Sequence, residues 1–277
     1  MTQEDLLIHK RNTFSQNGED GIIQHIFESI GAGNTCCEFG AWDGVHFSNC
    51  RNLILQGWRA VMIEGDQEKY SALVRTYQNN SSVIAVDRFV DTANNSLDRI
   101  LHEHEVTTLD FLSIDIDGLD YQILESLHVR PKVICIEVNA GHDPRNQSRI
   151  PAHIAMKNVG QPLPVVVNIA AEKGYDLVCY TGNAFFVQKE LRERSSLPTI
   201  SNTRAYENFL THLSSSGKEW LYLVNLGIVP PYYEFHNSYL GASGLGIEAI
   251  KAVRLRVTAT AREFILKRLR SIPDVFQ

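Results

Sequence analysis

Cysteine is scarce in this chain of 277 residues: there are five, an odd number, with no CxxC pair among them. That pattern excludes a disulfide framework and offers no zinc-binding spacing. No uninterrupted apolar run reaches the 18 or so residues that a spanning helix needs. The first residues, MTQEDLLIHKRNTF, are polar and mixed in charge, without the apolar stretch of a secretory leader. Basic residues do not dominate either. Against 32 Asp and Glu stand 26 Lys and Arg, a formal charge of −6, which is the wrong sign for a nucleic-acid-binding face. Repeats and low-complexity tracts are absent. What these absences leave is a reduced, cytoplasmic, globular chain with room for one large or two modest domains.

What is present is an alternation. Ile22, Ile23, Ile26, Phe27 and Ile30 recur at helical spacing within Glu19–Ile30, and Gly31 and Gly33 stop the run. A short apolar strand over 35–39 follows, then one over 60–63 that ends in Glu64. Helical stretches over 69–77, 97–104 and 121–127 separate further apolar runs at 82–86, 109–116 and 132–138. Strands that read as continuous apolar runs, alternating with helices, indicate a parallel sheet covered on both faces. After Pro162 and Pro164 a helix over 165–173 is expected. Two closing strands, 176–180 and 184–188, flank the turn signal Thr181-Gly182-Asn183. About seven strands result, with an antiparallel closing pair. Beyond 192 the alternation stops, giving a sheet domain over 1–192 and a helical C-terminal extension over 193–277.

In an open parallel sheet the ligand lies outside the carboxyl ends of the strands. Each of the first five strands here runs into carboxylates. The first yields Glu38-Phe39-Gly40-Ala41-Trp42-Asp43-Gly44, the second Glu64, the third Asp87, the fourth Asp115-Ile116-Asp117-Gly118-Leu119-Asp120, and the fifth Glu137-Val138-Asn139. A pyrophosphate cofactor wants an uncharged glycine turn at a helix N-terminus. Glu38 and Asp43 bracket this turn and would repel one. A ribose joined to a cationic amino-acid end fits better, with Glu64 placed to accept from the ribose hydroxyls. S-adenosylmethionine has both parts, so an NAD-type oxidoreductase is the disfavoured alternative. A non-catalytic cofactor-binding domain is the other.

The segment Phe14-Ser15-Gln16-Asn17-Gly18-Glu19-Asp20, the Glu38-to-Gly44 turn with Ser48-Asn49, Ile63-Glu64-Gly65, the Asp115-to-Asp120 segment, Ile136-to-Asn139 and Asn183-to-Val187 occur in an order that resembles the FkbM-like branch of class I S-adenosylmethionine-dependent methyltransferases. The resemblance spans roughly residues 14 to 190. It implies a Rossmann-like class I fold, a seven-stranded, mostly parallel sheet whose last strand is antiparallel. It also implies that Glu38, Gly40, Ala41, Asp43, Gly44, Ser48 and Asn49 line the methionine part of the donor. Glu64 would hold the ribose and Asp87 would lie near the adenine. The segment Ser15 to Glu19 would precede a helix covering the cofactor, with Ser15, Gln16 and Gly18 among the donor-binding residues, and Asp115 would complete the donor set. Trp42 stands where the common form of this turn has a middle glycine.

Methyl transfer to a hydroxyl requires alignment and removal of a proton. Asp115, Asp117, Glu137 and Asn139 form an oxygen-rich set suited to Mg²⁺ or another divalent cation, and catechol-type and macrolide-sugar O-methyltransferases are similar in carrying such groups here. Asp115, Asp117 and His142 are the candidate catalytic groups. Asp120 has the alternative role of turning the chain and capping the next helix. Trp42 and Trp58 are expected to serve packing, not to act as platforms for substrate. The expected acceptor, from the resemblance, is a sugar, glycan or glycosylated metabolite. The long polar stretch 139–161 would border it, and Tyr232, Tyr233, His236, Asn237 and Tyr239 form a second aromatic and amide cluster. A helix over 247–269 has an apolar stripe beside Lys251, Arg254, Arg256, Arg262, Lys267, Arg268 and Arg270, a candidate homo-oligomer contact.

Overall fold

The computed structural model describes residues 5–31, 33–116, 118–140, 142, 147–151 and 160–212. The expected cluster at Tyr232–Tyr239 and the helix over 247–269 lie outside the described residues. Met1–Phe209 form one compact unit. Its strands are β1 (Thr35–Phe39), β2 (Arg59–Glu64), β3 (Val83–Asp87), β4 (Phe111–Ile114), β5 (Val133–Glu137), β6 (Tyr175–Tyr180) and β7 (Asn183–Gln188). Its helices are α1 (Glu19–Ile30), α2 (Arg51–Leu55), α3 (Gln67–Tyr77), α4 (Leu97–Glu103), α5 (Asp120–Ser126), α6 (Leu163–Glu172), α7 (Lys189–Glu193) and α8 (Asn202–His212).

The sheet order is β3-β2-β1-β4-β5-β7-β6. β1 pairs in parallel with both β2 and β4, so the strand order reverses at β1 and β4. β7 runs antiparallel to β5 and to β6. This is the expected Rossmann-like arrangement of class I methyltransferases. Its physical basis is the run of side chains that are buried whichever face they point to. Cys36, Cys37, Phe39, Met62, Ile63, Phe111, Leu112, Ile134, Ile136, Phe185 and Phe186 are all essentially inaccessible. Each fully buried apolar side chain of this size contributes about 1.5–3 kcal/mol relative to exposure.

The helix termini are set by local chemistry. Asp66 accepts from the backbone of Glu68 and Lys69, so α3 begins two residues before the expected stretch. Ser96 caps α4 through Arg99 N–H. At α1, Asp20 Oδ2 accepts from Thr13, Phe14 and Ser15 N–H, each at 2.8 Å, and from Ser15 Oγ, while Ser15 Oγ accepts from Asp20 N–H. That reciprocal pair folds the preceding segment back over the helix start. Gly18, with φ of 95°, makes the bend.

β4 is shorter than the apolar run from 109 to 116, because its two ends are occupied otherwise. Asp110 turns its carboxylate to Asn34 N–H (2.8 Å), Thr35 N–H (3.0 Å), Thr35 Oγ1 (2.8 Å) and Lys132 Nζ (2.8 Å). That staples the entry ends of β1, β4 and β5. At the other end the Asp115 carbonyl lies against Gly40, where a Cβ would collide with its oxygen.

Candidate functional site

Three segments converge beyond the carboxyl ends of β1 and β4. The first is the turn from Gly40 to Gly44. Ala41 N–H donates to Ile63 O and Gly44 N–H to Ala41 O, so the turn is tied to β2 and closed on itself. Gly40 and Gly44 both have φ of 74°, a left-handed backbone that glycine tolerates and other residues resist. Trp42 (φ 48°) and Phe47 (φ 58°) adopt that region without being glycine. Trp42 is 43% exposed, with Lys69 Nζ 5.5 Å from its ring centroid, whereas Trp58 is 8% exposed and edge-packed on Phe27. Trp58 packs in the core, whereas Trp42 is half open and lies against the His46 and Phe47 rings.

Two acidic strand ends use their oxygens on this turn and on the residues just beyond it. Glu64 Oε2 accepts from Trp42 N–H and its Oε1 from Asp66 N–H, both at 2.8 Å. Glu38 is buried and accepts from Ser48 Oγ, from Asn49 N–H at 2.7 Å and from Cys50 N–H at 3.4 Å. Burial raises the Glu38 pKa to about 7; the Ser48, Asn49 and Cys50 hydrogen bonds oppose the rise, and the nearby Asp20 carboxylate adds to it. Asp43 behaves differently. Burial would raise it, but His46 N–H, the His46 ring and Val45 N–H outweigh that and hold it below its ordinary value. Asp87 is exposed and accepts from Gln67.

The second segment is Ser48–Cys50 leading into α2. Asn49 Nδ2 donates to Ser113 Oγ on β4 at 3.0 Å and approaches Cys135 Sγ on β5 at 3.8 Å. The third is the Ser15–Asp20 bend. Ser15, Gln16 and Gly18 are all buried there; Gln16 O accepts from Asn12 Nδ2 at 2.9 Å. Glu19 is fully buried, accepting from Thr181 Oγ1 at 2.8 Å and Asn183 Nδ2 at 3.4 Å, and so ties the bend to β7. The Cys135 thiol marks where the segments meet. Burial raises its pKa, and the Glu19, Asp115 and Glu38 carboxylates around it raise it further.

Within this cluster, buried oxygens lack donors. Asn17 Oδ1, Asp20 Oδ1 and Asn49 Oδ1 are inaccessible and accept no hydrogen bond. Neither Asn17 nor Asp20 belongs to the expected donor set, although both stand inside the Phe14-to-Asp20 motif. Sequence signals the motif but not which of its side chains point inward.

At the β4 and β5 ends, Asp120 turns the chain. It accepts from Ile116 N–H and Gly118 N–H, each at 2.9 Å, and burial with the neighbouring Glu137 carboxylate raises its pKa to about 7. Asp115, Glu137, Asn139 and His142 are half-buried, and His142 N–H donates to Asn139 O at 3.3 Å. Asp117 lies outside the described residues. Among the described residues no three His, Cys, Asp or Glu side chains gather to hold a metal. Further along, Arg149 makes a two-pronged bond to Glu125 (2.9 and 2.8 Å), and the Gln161 amide bonds both N–H and O of Ile150. These contacts fix the described part of the stretch after β5 to α5 and α6.

Residues 76–175, from the end of α3 to the start of β6, match the methyltransferase FkbM domain. A search of curated proteins finds no match. Solved structures with a similar fold include monomeric WbdD, at 15% identity and a TM-score of 0.39 over 60% of this chain and 38% of that one. The chain thus spans well under two thirds of the length of WbdD. A SAM-dependent methyltransferase from Aquifex aeolicus shows 11% identity and a TM-score of 0.38 over 65% of this chain and 95% of that one. Geranyl diphosphate C-methyltransferase from Streptomyces coelicolor A3(2) shows 13% identity and a TM-score of 0.35 over 72% and 81%. The strand order is that of class I methyltransferases, and the stretch 76–175 is similar to the methyltransferase FkbM domain.

Proposed function

We propose that the protein transfers a methyl group from S-adenosylmethionine to a hydroxyl of a sugar, glycan or glycosylated metabolite. The observation that carries the donor assignment is the set of buried oxygens without donors, Asn17 Oδ1, Asp20 Oδ1 and Asn49 Oδ1, in a cluster already holding Glu19 and Glu38. Each buried, unsatisfied acceptor costs about 1–3 kcal/mol. A ligand that offsets this must bring N–H donors and positive charge, and the α-ammonium of the donor brings both. A pyrophosphate would bring only more acceptors and negative charge, so these residues do not suit NAD.

When bound, the donor supplies an electrophilic methyl on its sulfonium. The chain's own residues then bind and orient. Asn17, Asp20 and Asn49 hold the ammonium, with Glu38 fixing the loop that carries Asn49. Glu64, ending β2 beside the turn, accepts from the ribose hydroxyls with the lone pairs its two backbone partners leave free. Asp115 and His142 face the acceptor, and His142 takes its hydroxyl proton. The sugar preference is drawn from the family resemblance. Asp115, Glu137 and Asn139 carry the oxygen ligands that would suit a divalent cation aligning the acceptor. Five free, buried cysteines suit a reducing compartment, and the cytoplasm is the setting we infer. Among the described residues no helix is long and apolar enough to cross a membrane.

Isothermal titration with S-adenosylhomocysteine and with NAD⁺ tests the reading. Heat with the first and none with the second is expected, and the absence of binding by S-adenosylhomocysteine would overturn it.

A further inference from the structure

Arg51 opens α2, two residues after Asn49, and its backbone N–H donates to Ser48 Oγ at 3.0 Å. Its guanidinium carbon lies 5.7 Å from the centroid of the Phe14 ring and 5.1 Å from that of Tyr77. Those two aromatics adjoin the segments proposed to hold the donor. Phe14 immediately precedes the Ser15–Asp20 bend, and Tyr77 donates its hydroxyl to Gly44 O at 2.7 Å. The cation is therefore held where the bend and the glycine turn approach each other. Arg51 Nε is inaccessible and has no hydrogen-bond partner, and among the described residues Arg51 forms no ion pair with a carboxylate. Its guanidinium hydrogen-bonds the Tyr77 hydroxyl, which is uncharged and so leaves the positive charge without a counter-ion.

A partly desolvated guanidinium between two π-faces gains from the ring quadrupoles, but its charge still lacks a counter-ion. The same small region holds the complementary deficit, buried oxygens that lack donors. An α-amino-acid end resolves both at once, its ammonium meeting the oxygens and its carboxylate the guanidinium, whose planar fork matches a carboxylate in two parallel bonds. We infer that Arg51 binds the carboxylate of the donor's amino-acid end. This assignment rests on the donor reading above and adds to it a residue outside the sequence-derived donor set.

Three ligands separate the two ideas on the full-length protein: S-adenosylhomocysteine, its decarboxylated analogue that keeps the amine, and 5′-methylthioadenosine, which lacks the amino-acid end. The wild type should bind S-adenosylhomocysteine more tightly than the decarboxylated analogue. The variant Arg51→Met keeps an apolar stem between Phe14 and Tyr77. It should bind S-adenosylhomocysteine about tenfold to a hundredfold more weakly, the range expected for a lost charged hydrogen-bonded pair. Its affinity for the decarboxylated analogue and for 5′-methylthioadenosine should stay within about twofold of wild type, which also reports an intact fold. Arg51→Lys should fall between wild type and Arg51→Met for S-adenosylhomocysteine alone. An equal loss for all three ligands in Arg51→Met, or no loss for any, would overturn the assignment while leaving the donor reading intact. A wild type that binds none of the three would overturn the donor reading, and this assignment with it.

Discussion

Asn49 donates its side-chain amide to Ser113 Oγ at 3.0 Å, while its own Oδ1 stays buried without a donor. One side chain thus ties the loop after β1 to β4 and keeps a buried acceptor beside that tie. Asn49→Ala removes both. Donor affinity should fall about tenfold, the worth of one hydrogen bond to a charged group. The backbone bond from Asn49 N–H to Glu38 remains, so the loop should keep its place. Calorimetric titration with S-adenosylhomocysteine checks the affinity, and wild-type binding by Asn49→Ala would remove this residue from the site.

Glu38 should make donor binding depend on pH. Its pKa is raised to about 7 in the folded chain, against an ordinary value of 4.5. The fold therefore binds the proton more tightly than the unfolded chain does. Stability is fully present below about pH 4.5 and declines as pH rises toward 7, and Asp120, also raised to about 7, contributes in the same direction. A bound ammonium favours the ionised carboxylate, so donor binding should release protons near pH 7 and strengthen as pH rises through that value. Titrations in buffers of different ionisation enthalpy count the protons. A pH-independent affinity between 6 and 8, with no proton release, would contradict this coupling.

Gly40 has no room for a side chain. Its φ of 74° disfavours any L-residue, and a Cβ would strike the Asp115 carbonyl oxygen, a backbone atom with no rotamer to escape into. Gly40→Ala should force the turn away from β4 at a cost of about 2–4 kcal/mol, lowering the Tm by roughly 5–10 °C. Donor affinity should fall with it, because the turn carries Trp42 N–H to Glu64. Differential scanning calorimetry of the variant measures the first effect directly.

Much of this architecture is legible in the residues, and the reason is burial. β1, β2 and β5 have both faces covered and the edge strand β3 is half-buried, so their apolar runs stand out and their acidic ends mark where the runs meet solvent or ligand. α2 is only five residues long, too short for periodicity to show, so Arg51 carries no signal of its place in the fold. The start of β4 could not be placed from hydropathy, since the Asp110 carboxylate bonds the backbone of Asn34 and Thr35, which lie far away in sequence. Nor does sequence tell an inward oxygen from an outward one. Glu38 stands at a strand end as a ligand-binding acid would, yet its oxygens hold Ser48, Asn49 and Cys50. The donor-lacking atoms belong instead to Asn17, Asp20 and Asn49, and only the pairing of distant segments exposes that difference.

Asp110 offers a contrast to the residues above, because it acts at the entry ends of the strands, away from the proposed site. Burial would raise its pKa, but Asn34 N–H, Lys132 and Thr35 outweigh burial and hold it below its ordinary value. A depressed carboxylate stabilises the fold above its unfolded pKa and loses that contribution as pH falls through the folded one. Asp110→Ala should therefore lower stability at neutral pH and shrink the difference from wild type in strong acid. Its affinity for S-adenosylhomocysteine should match wild type. Chemical denaturation at several pH values, beside one titration, checks both halves, and a large affinity loss would mean that the staple reaches the site.

Glu64 separates binding from scaffolding most directly. Both its oxygens already accept backbone N–H groups, from Trp42 and Asp66, so removing it loosens the glycine turn and the start of α3 together. If the ribose hydroxyls also bond this carboxylate, Glu64→Ala should weaken S-adenosylhomocysteine binding by about tenfold to a hundredfold. Scaffolding alone would weaken every ligand of the turn, whereas a ribose bond makes a sharper demand. The wild type should then lose most of that same factor when the ribose 2′- and 3′-hydroxyls are removed from the ligand, and Glu64→Ala should barely distinguish the two ligands. The interaction term of this cycle, measured by titration, isolates the contact from the loosening. A cycle with no interaction would leave Glu64 as a support for Trp42 and Asp66 and move the ribose elsewhere.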